Sequence, residues 1–295
     1  MKILKTAFVA LFLIGAGLLM AVDYNEVLRL AQQENAEAQF WLGYEYYKGE
    51  NLTKDNAAAK FWMEKSALQG YTEAEYLMGW FYDNAEGMEH DQVKAFEWYF
   101  RAAEKGHANS QGEIAYMYYT GSGVAQNFAE SARWYLKSAE GGADFAQHSL
   151  AYMYMEGEGL EQNDTQAIYW FRKSVAQGYE ESKGHLFELL YDGKGGEAAY
   201  PEAFRLLGEL LEKDPENEDY QYSMAQMYLN GKGVEKDEED AFYWMEQAAL
   251  NEHIGAQFTL SDMYYKGIGT KVDSTYGDYW LETAEENEYW EYYGW

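Results

Sequence analysis

The segment "AYMYYTGSGVAQNFAESARWYLKSAEGG" at 115–142 is followed by "AYMYMEGEGLEQNDTQAIYWFRKSVAQG" at 151–178, nearly the same text 36 residues later. An internal repeat constrains a chain strongly, because each unit can bury its apolar face only against a neighbour. With Ala146 as position 0, equivalent starts fall at Ala38, Ala74, Ser110, Ala146, Ser182, Tyr220 and Ala256. Position 24 then holds Trp62, Trp98, Trp134, Trp170, Leu206, Trp244 and Trp280. Position 8 holds Tyr46, Tyr82, Tyr118, Tyr154, Leu190, Tyr228 and Tyr264, and position 4 is always apolar.

Positions 0, 4, 5 and 8 share one face of a helix with a 3.6-residue period. Small residues at position 5, such as Gly43, Gly79 and Ala115, let a second helix approach closely. Glycines at positions 11 and 13, among them Gly121, Gly123, Gly193 and Gly195, predict the stop of this helix A. Asp55, Asp91, Asn127, Asn163, Asp237 and Asp273 at position 17 predict the N-cap of a helix B. The position-24 tryptophan then lies on the buried stripe of helix B. The spacing therefore predicts an all-α chain: a right-handed α-solenoid of about seven antiparallel helix pairs, 36 residues each.

Segments such as "AEYLMGWFYDNAEGMEHDQVKAFEWYFRAAEKG" (74–106) resemble the Sel-like repeat (SLR) family, close kin of the tetratricopeptide repeats. The resemblance covers residues 38 to about 288. The fifth unit departs most, with Phe187 at the small position, Leu190 for the tyrosine and Leu206 for the tryptophan. The resemblance implies a scaffold that holds a protein segment. The expected organisation is a leader at 1–21, a capping helix within 22–37, seven repeats over 38–288 and an aromatic, acidic tail at 289–295.

The leader expectation rests on Lys2 and Lys5 followed by an uncharged apolar run to Met20, the length of a secretory core and short for a spanning helix. The expected location is therefore exported, in a bacterial periplasm or secreted, with membrane contact only through an uncleaved segment. The chain has 51 acidic and 22 basic residues, a net charge of −29. That charge repels phosphate backbones, so nucleic acid is not an expected partner. No cysteine is present, which excludes disulfides and thiolate metal sites.

No catalytic, cofactor or metal residues are expected. The GxG pairs recur at one turn with no strand before them and no Walker lysine after. His90, His107, His148, His185 and His253 show no ligand spacing. No serine is followed by lysine three residues on, so the serine–lysine acylation motif is absent.

What remains is surface. In tetratricopeptide solenoids the outward residues of helix A line a concave groove, and the resemblance maps that face to positions −1, 2, 6, 9 and 10. The candidate partner-binding residues are Phe40, Tyr44, Tyr47, Tyr76, Trp80, Tyr116, Tyr119 and Tyr152, rimmed by Glu37, Glu73, Glu181 and Asp219. Tyrosine and tryptophan are enriched at binding hot spots. The alternative is that the position-6 aromatics pack against the next repeat. The expected function is a non-enzymatic scaffold or adaptor for a protein or peptide, and the acidity suits a basic one. Other readings are an immunity-type neutraliser of a basic toxin, a cell-wall or carbohydrate binder, and last a β-lactamase-like hydrolase by family analogy.

Overall fold

The computed structural model describes residues 24–85 and 89–293, the last five as backbone only. The expected leader at 1–21 lies outside the described residues. Among the described residues there are fifteen α-helices, one short 3-10 turn and no strand. None of these helices is long and apolar enough to cross a membrane. The all-α helix-pair architecture is as the repeat predicts.

The chain forms two compact units, divided between Ala143 and Asp144. The N-terminal unit holds α1 (Tyr24–Gln32), α2 (Ala36–Lys48), α3 (Asn56–Leu68), α4 (Thr72–Asp83), α5 (Gln92–Glu104), α6 (Ala108–Thr120) and α7 (Phe128–Glu140). The C-terminal unit holds α8 (Asp144–Glu156), α9 (Asp164–Ala176), α10 (Glu181–Tyr191), α11 (Tyr200–Lys213), α12 (Glu218–Asn230), α13 (Glu238–Leu250), α14 (Ile254–Lys266) and α15 (Ser274–Tyr293). From α2 onward, each even-numbered helix is the A helix of a repeat and the next is its B helix.

The boundaries follow local chemistry. Before each of five B helices an extended Asp or Asn accepts the N–H three residues on: Asp55 from Ala58, Asp91 from Lys94, Asn127 from Glu130, Asn163 from Gln166 and Asp237 from Asp240, all at 3.0–3.1 Å. Their own N–H groups donate back to the position-8 carbonyl of helix A, as Asn127 does to Tyr118 at 2.8 Å. One residue thus ends a turn and starts a helix. Glu130 does not close a capping box; its carboxylate takes Arg133 at 2.7 Å.

Between α6 and α7 both turn glycines are left-handed, and the second, at φ 69°, has a further role. Gly121 stops α6 at φ 79°, a left-handed conformation that strains an L side chain. Gly123 makes room, since a Cβ there would collide with the Gln92 carbonyl at the start of the preceding B helix. In the fifth repeat the left-handed glycines are Gly193 and Gly196, not Gly195. That repeat has a helix A of 11 residues, a 3-10 turn at Glu197–Ala199 and Pro201 in the first turn of α11.

The core lies between the helices of each pair. Position 4 is buried in all seven repeats, from Leu260 at 0% to Met224 at 5% exposed. Trp98, Trp134, Trp170 and Trp280 are 5–9% exposed, and Leu206 replaces the ring at 0%. In the first four repeats a cation three residues along covers the tryptophan, as Lys137 Nζ lies 3.7 Å from the Trp134 ring centroid. The long side chain keeps its charge wet while its stem shields the ring.

Candidate functional site

Neighbouring repeats are joined by a polar clamp at position 1. Gln39 donates to the Ala31 carbonyl at 2.9 Å, Gln111 to Ala103 at 3.1 Å and Gln257 to Ala249 at 3.1 Å. Each reaches the last turn of the preceding helix and satisfies a free carbonyl there. In four repeats the position-1 side-chain oxygen accepts from the residue thirty positions on. Gln69 donates to Gln39 at 2.7 Å, Gln177 to Gln147 at 2.8 Å, Asn251 to Gln221 at 2.9 Å and Asn287 to Gln257 at 3.0 Å. Because Gln39 and Ala31 obey the same rule, α1 stands where a B helix would stand before the first repeat. Glutamine recurs at position 1 in five repeats. This was the signal in the sequence for a joint that the apolar pattern did not reveal.

A second joint involves two candidate groove residues. Phe40, only 8% exposed, packs on Tyr71 at 5.1 Å between ring centroids, and Tyr76 packs on His107 at 4.7 Å. In the C-terminal unit His148 meets Tyr179 at 5.0 Å and Tyr222 stacks on His253 at 4.2 Å. Position 2 of one repeat therefore clasps position −3 of the next. Where position 2 is glycine, at Gly112 and Gly184, position −3 is Ala143 and Asn217, with no ring on either side. Phe40 belongs to the packing, and Tyr76 is half-buried in it. Burial, with Glu73 and then Glu37, pushes the Tyr71 hydroxyl up to about 12.

The position-6 aromatics keep more surface. Tyr116 is 48% exposed, while Tyr44, Trp80 and Tyr152 are half-buried. Tyr47 at position 9 meets Trp80 of the next repeat at 5.6 Å and Phe81 at 5.3 Å, so these rings form one continuous wall. Tyr44 stacks on Phe40 at 6.1 Å. Tyr119 turns to Phe128 of its own repeat at 5.2 Å. Tyr152 lies in the C-terminal unit, edge-on to His185 at 5.8 Å. Position 6 is therefore not uniform: Trp80 packs against its neighbours and Tyr116 is exposed.

Acidic residues flank this wall in the N-terminal unit. Burial and then the Glu73 charge hold the Glu37 carboxyl above its usual range. Among the described residues no three histidine, aspartate or glutamate side chains are grouped so as to hold a metal ion.

The repeated geometry has a counterpart in known proteins. The Sel1 repeat model matches residues 36–71, 72–107, 108–142, 144–179, 219–253 and 254–289, well over half of the chain. The chain belongs to the Sel1 repeat family. Members of this family are generally protein–protein interaction scaffolds. The fifth helix pair, α10–α11, falls between the matched Sel1 segments, in line with its leucines at the tyrosine and tryptophan positions.

Two solved Sel1-type structures are similar over most of the chain. One is a protective antigen present in uropathogenic Escherichia coli strains, displaying an SLR fold, with 32% identity and a TM-score of 0.66. The match covers 90% of this chain and 56% of that one, so this chain spans little more than half of that relative's length. The other is a Sel1 repeat protein from Oxalobacter formigenes, with 27% identity and a TM-score of 0.56, covering 83% of this chain and 96% of that one. No curated protein matches the chain.

Proposed function

We propose that this protein is an exported, non-enzymatic Sel1 scaffold that captures a partner protein or peptide on the aromatic, acid-flanked face of its A helices. The observation that carries the reading is the contrast between two aromatic stripes. Four position-24 tryptophans, Trp98, Trp134, Trp170 and Trp280, are buried and Trp62 and Trp244 partly so, whereas Tyr116 of the position-6 stripe leaves 48% of its surface in solvent. An exposed ring loses little conformational entropy on binding and combines an apolar face with a polar edge. The net charge of −29 favours a basic partner through faster encounter. The lysine-flanked apolar run before Val22 supports export.

The test joins stability and residence on one protein. Tyr116→Ala combined with Tyr152→Ala should leave the melting temperature nearly unchanged and raise the dissociation rate of a partner captured from the periplasm. Destabilisation with an unchanged off-rate would remove the groove. N-terminal sequencing of the protein isolated from cells should begin near Val22, and a full-length cytoplasmic product would overturn the export reading.

A further inference from the structure

Position 22 of one repeat meets position 8 of the next at three joints, each time as an edge-on pair of rings. Phe96 lies 5.5 Å from Tyr118, Phe204 5.4 Å from Tyr228 and Phe242 5.2 Å from Tyr264. Between the fourth and fifth repeats the same positions hold Ile168 and Leu190, which fill less space than two rings. The turn differs there too. Gly123, Gly233 and Gly269 at position 13 each lie against the first carbonyl of the preceding B helix, those of Gln92, Tyr200 and Glu238. A Cβ on Gly195 would instead meet the Leu190 and Ala199 side chains, at 2.7 and 2.8 Å, so this turn is not seated on the Asp164 carbonyl.

A cavity of about 510 Å³ opens between α9 and this turn. That volume lies in the range of small-molecule sites. Ile168 and Gly195 line it together with Tyr169, which is 46% exposed. Arg172, Lys173 and Lys194 line it as well, and none of its lining residues is acidic. In a chain of net charge −29, three cations around one cavity reverse the prevailing sign. Two of them have partners outside the lining: Arg172 Nε donates to Glu202 at 3.0 Å, and Lys194 Nζ stands 3.0 Å from Asp164. Arg172 Nη1 has no hydrogen-bond partner among the described residues. Lys173 has no carboxylate partner among them, and its Nζ lies 4.8 Å from the Tyr169 ring centroid and 5.0 Å from that of Trp170. One unneutralised ammonium and a free guanidinium edge thus stand beside an apolar surface.

We propose that this cavity binds a small aromatic carboxylate, with its ring against Ile168 and Tyr169 and its carboxylate on Lys173 and Arg172 Nη1. The site belongs to a B helix and a turn and shares no residue with the A-helix face, so it stands apart from the scaffold reading. Charge-assisted bonds from an ammonium and a guanidinium are the strong kind for a carboxylate. The acidic remainder of the chain opposes an anion weakly, because salt screens charges beyond about 8–10 Å. An inorganic anion leaves Ile168 and Tyr169 unused, and a neutral ring leaves Lys173 without its counter-charge. An aromatic acid satisfies both halves of the cavity.

The experiment titrates the full chain with phenylacetate and follows backbone amide NMR signals, with acetate and phenethylammonium as controls. Phenylacetate should shift the signals of Thr165, Tyr169, Lys173 and Lys194 saturably, and neither control should do so in the same concentration range. Lys173→Gln, which leaves no carboxylate unpaired, should weaken binding about tenfold. Ile168→Phe, which introduces the residue that three other repeats carry at position 22, should fill the cavity and abolish binding in a folded chain. Equal shifts with phenethylammonium or acetate, or an unchanged affinity in Lys173→Gln, would each overturn the proposal. Nα-acetyl-phenylalanine distinguishes the sources of such an acid: tighter binding than phenylacetate assigns the site to the C-terminal residue of a peptide, weaker binding to a free acid. Tyr116→Ala should leave phenylacetate binding unchanged, so loss of the groove and loss of this site are separate results.

Discussion

Glu75 Oε2 and Lys105 Nζ stand 2.7 Å apart, at the two positions where Gln147 and Gln177 pair at 2.8 Å two repeats later. An ion pair thus replaces an amide pair in one joint of the same design. Glu75 is 3% exposed, and Lys105 also donates to the Gly70 carbonyl at 2.9 Å. Removing the cation alone leaves a buried carboxylate without its partner. Because the Lys105 side chain is 40% exposed, solvent softens the loss. Lys105→Ala should therefore cost about 1–3 kcal/mol, below the ~3–5 of a fully buried pair. The double variant Glu75→Gln with Lys105→Gln rebuilds the amide pair and should unfold within about 1 kcal/mol of the parent, measured in urea.

Trp134 is 7% exposed, between Phe100 of the preceding repeat at 5.7 Å and the Lys137 ammonium at 3.7 Å. Trp134→Ala should cost roughly 3–5 kcal/mol through lost burial and a cavity. The loss should spread to adjoining repeats, because stability in stacked arrays passes through nearest-neighbour interfaces. Hydrogen exchange across α5 to α7 is the measurement. An unchanged pattern would show that the ring carries little of the interface.

The position-6 stripe should divide under alanine substitution. Trp80 contacts Tyr47 at 5.6 Å and Phe81 at 5.8 Å, whereas Tyr116 is 48% exposed. Trp80→Ala should lower stability by about 2–4 kcal/mol, less than a fully buried tryptophan. Tyr116→Ala should stay within about 0.5 kcal/mol of the parent, as exposed substitutions usually do. Equal losses in thermal unfolding would make both packing residues.

Glu113 should make stability fall with rising pH. Its carboxyl is pushed up to about 7 by burial and then by Asp83, against the ordinary 4.5. Between those values the folded chain binds more protons than the unfolded one, so the slope of stability against pH is negative. Its contribution is fully present below about pH 4.5 and is lost as pH rises through about 7, on the order of 3 kcal/mol in all. Glu113→Gln should remove that fall when urea midpoints at about pH 5 and about pH 8 are compared with the parent. A parent-like difference in the variant would place the titration elsewhere.

Ala85 adopts φ 56° at the turn where the six other repeats place a left-handed glycine. The left-handed region costs an L-residue roughly 1–2 kcal/mol, partly offset by the greater freedom glycine loses on folding. Ala85→Gly should therefore stabilise the protein by about 0.5–1 kcal/mol in thermal unfolding. A lower melting temperature would show that the methyl group makes a compensating contact.

The helix pairs were legible in the sequence because helix caps, turn glycines and core positions are read locally, within one turn or one face. Asn127 caps α7 whatever surrounds it, and Trp134 shares a stripe with Ser131 and Ser138 by helical period alone. The departure of the fifth repeat was equally visible, since Leu190 and Leu206 break a pattern kept by the others. The groove was legible only as a stripe of residue types. Its alignment could not separate Phe40, covered by Tyr71, from Tyr116, which is open, because that depends on what the neighbouring repeat brings opposite.

The sequence by itself therefore determined the repeat, its helices, four of its six repeat tryptophans as buried (Trp62 and Trp244 are only partly so) and the family, all of which follow from periodicity along one chain. The tertiary structure alone decided the pairings between repeats: Gln39 with Ala31, Phe40 with Tyr71, and Tyr76 with His107. These groups meet because stacking sets the end of one helix pair against the next, where burial makes an unmade polar contact costly.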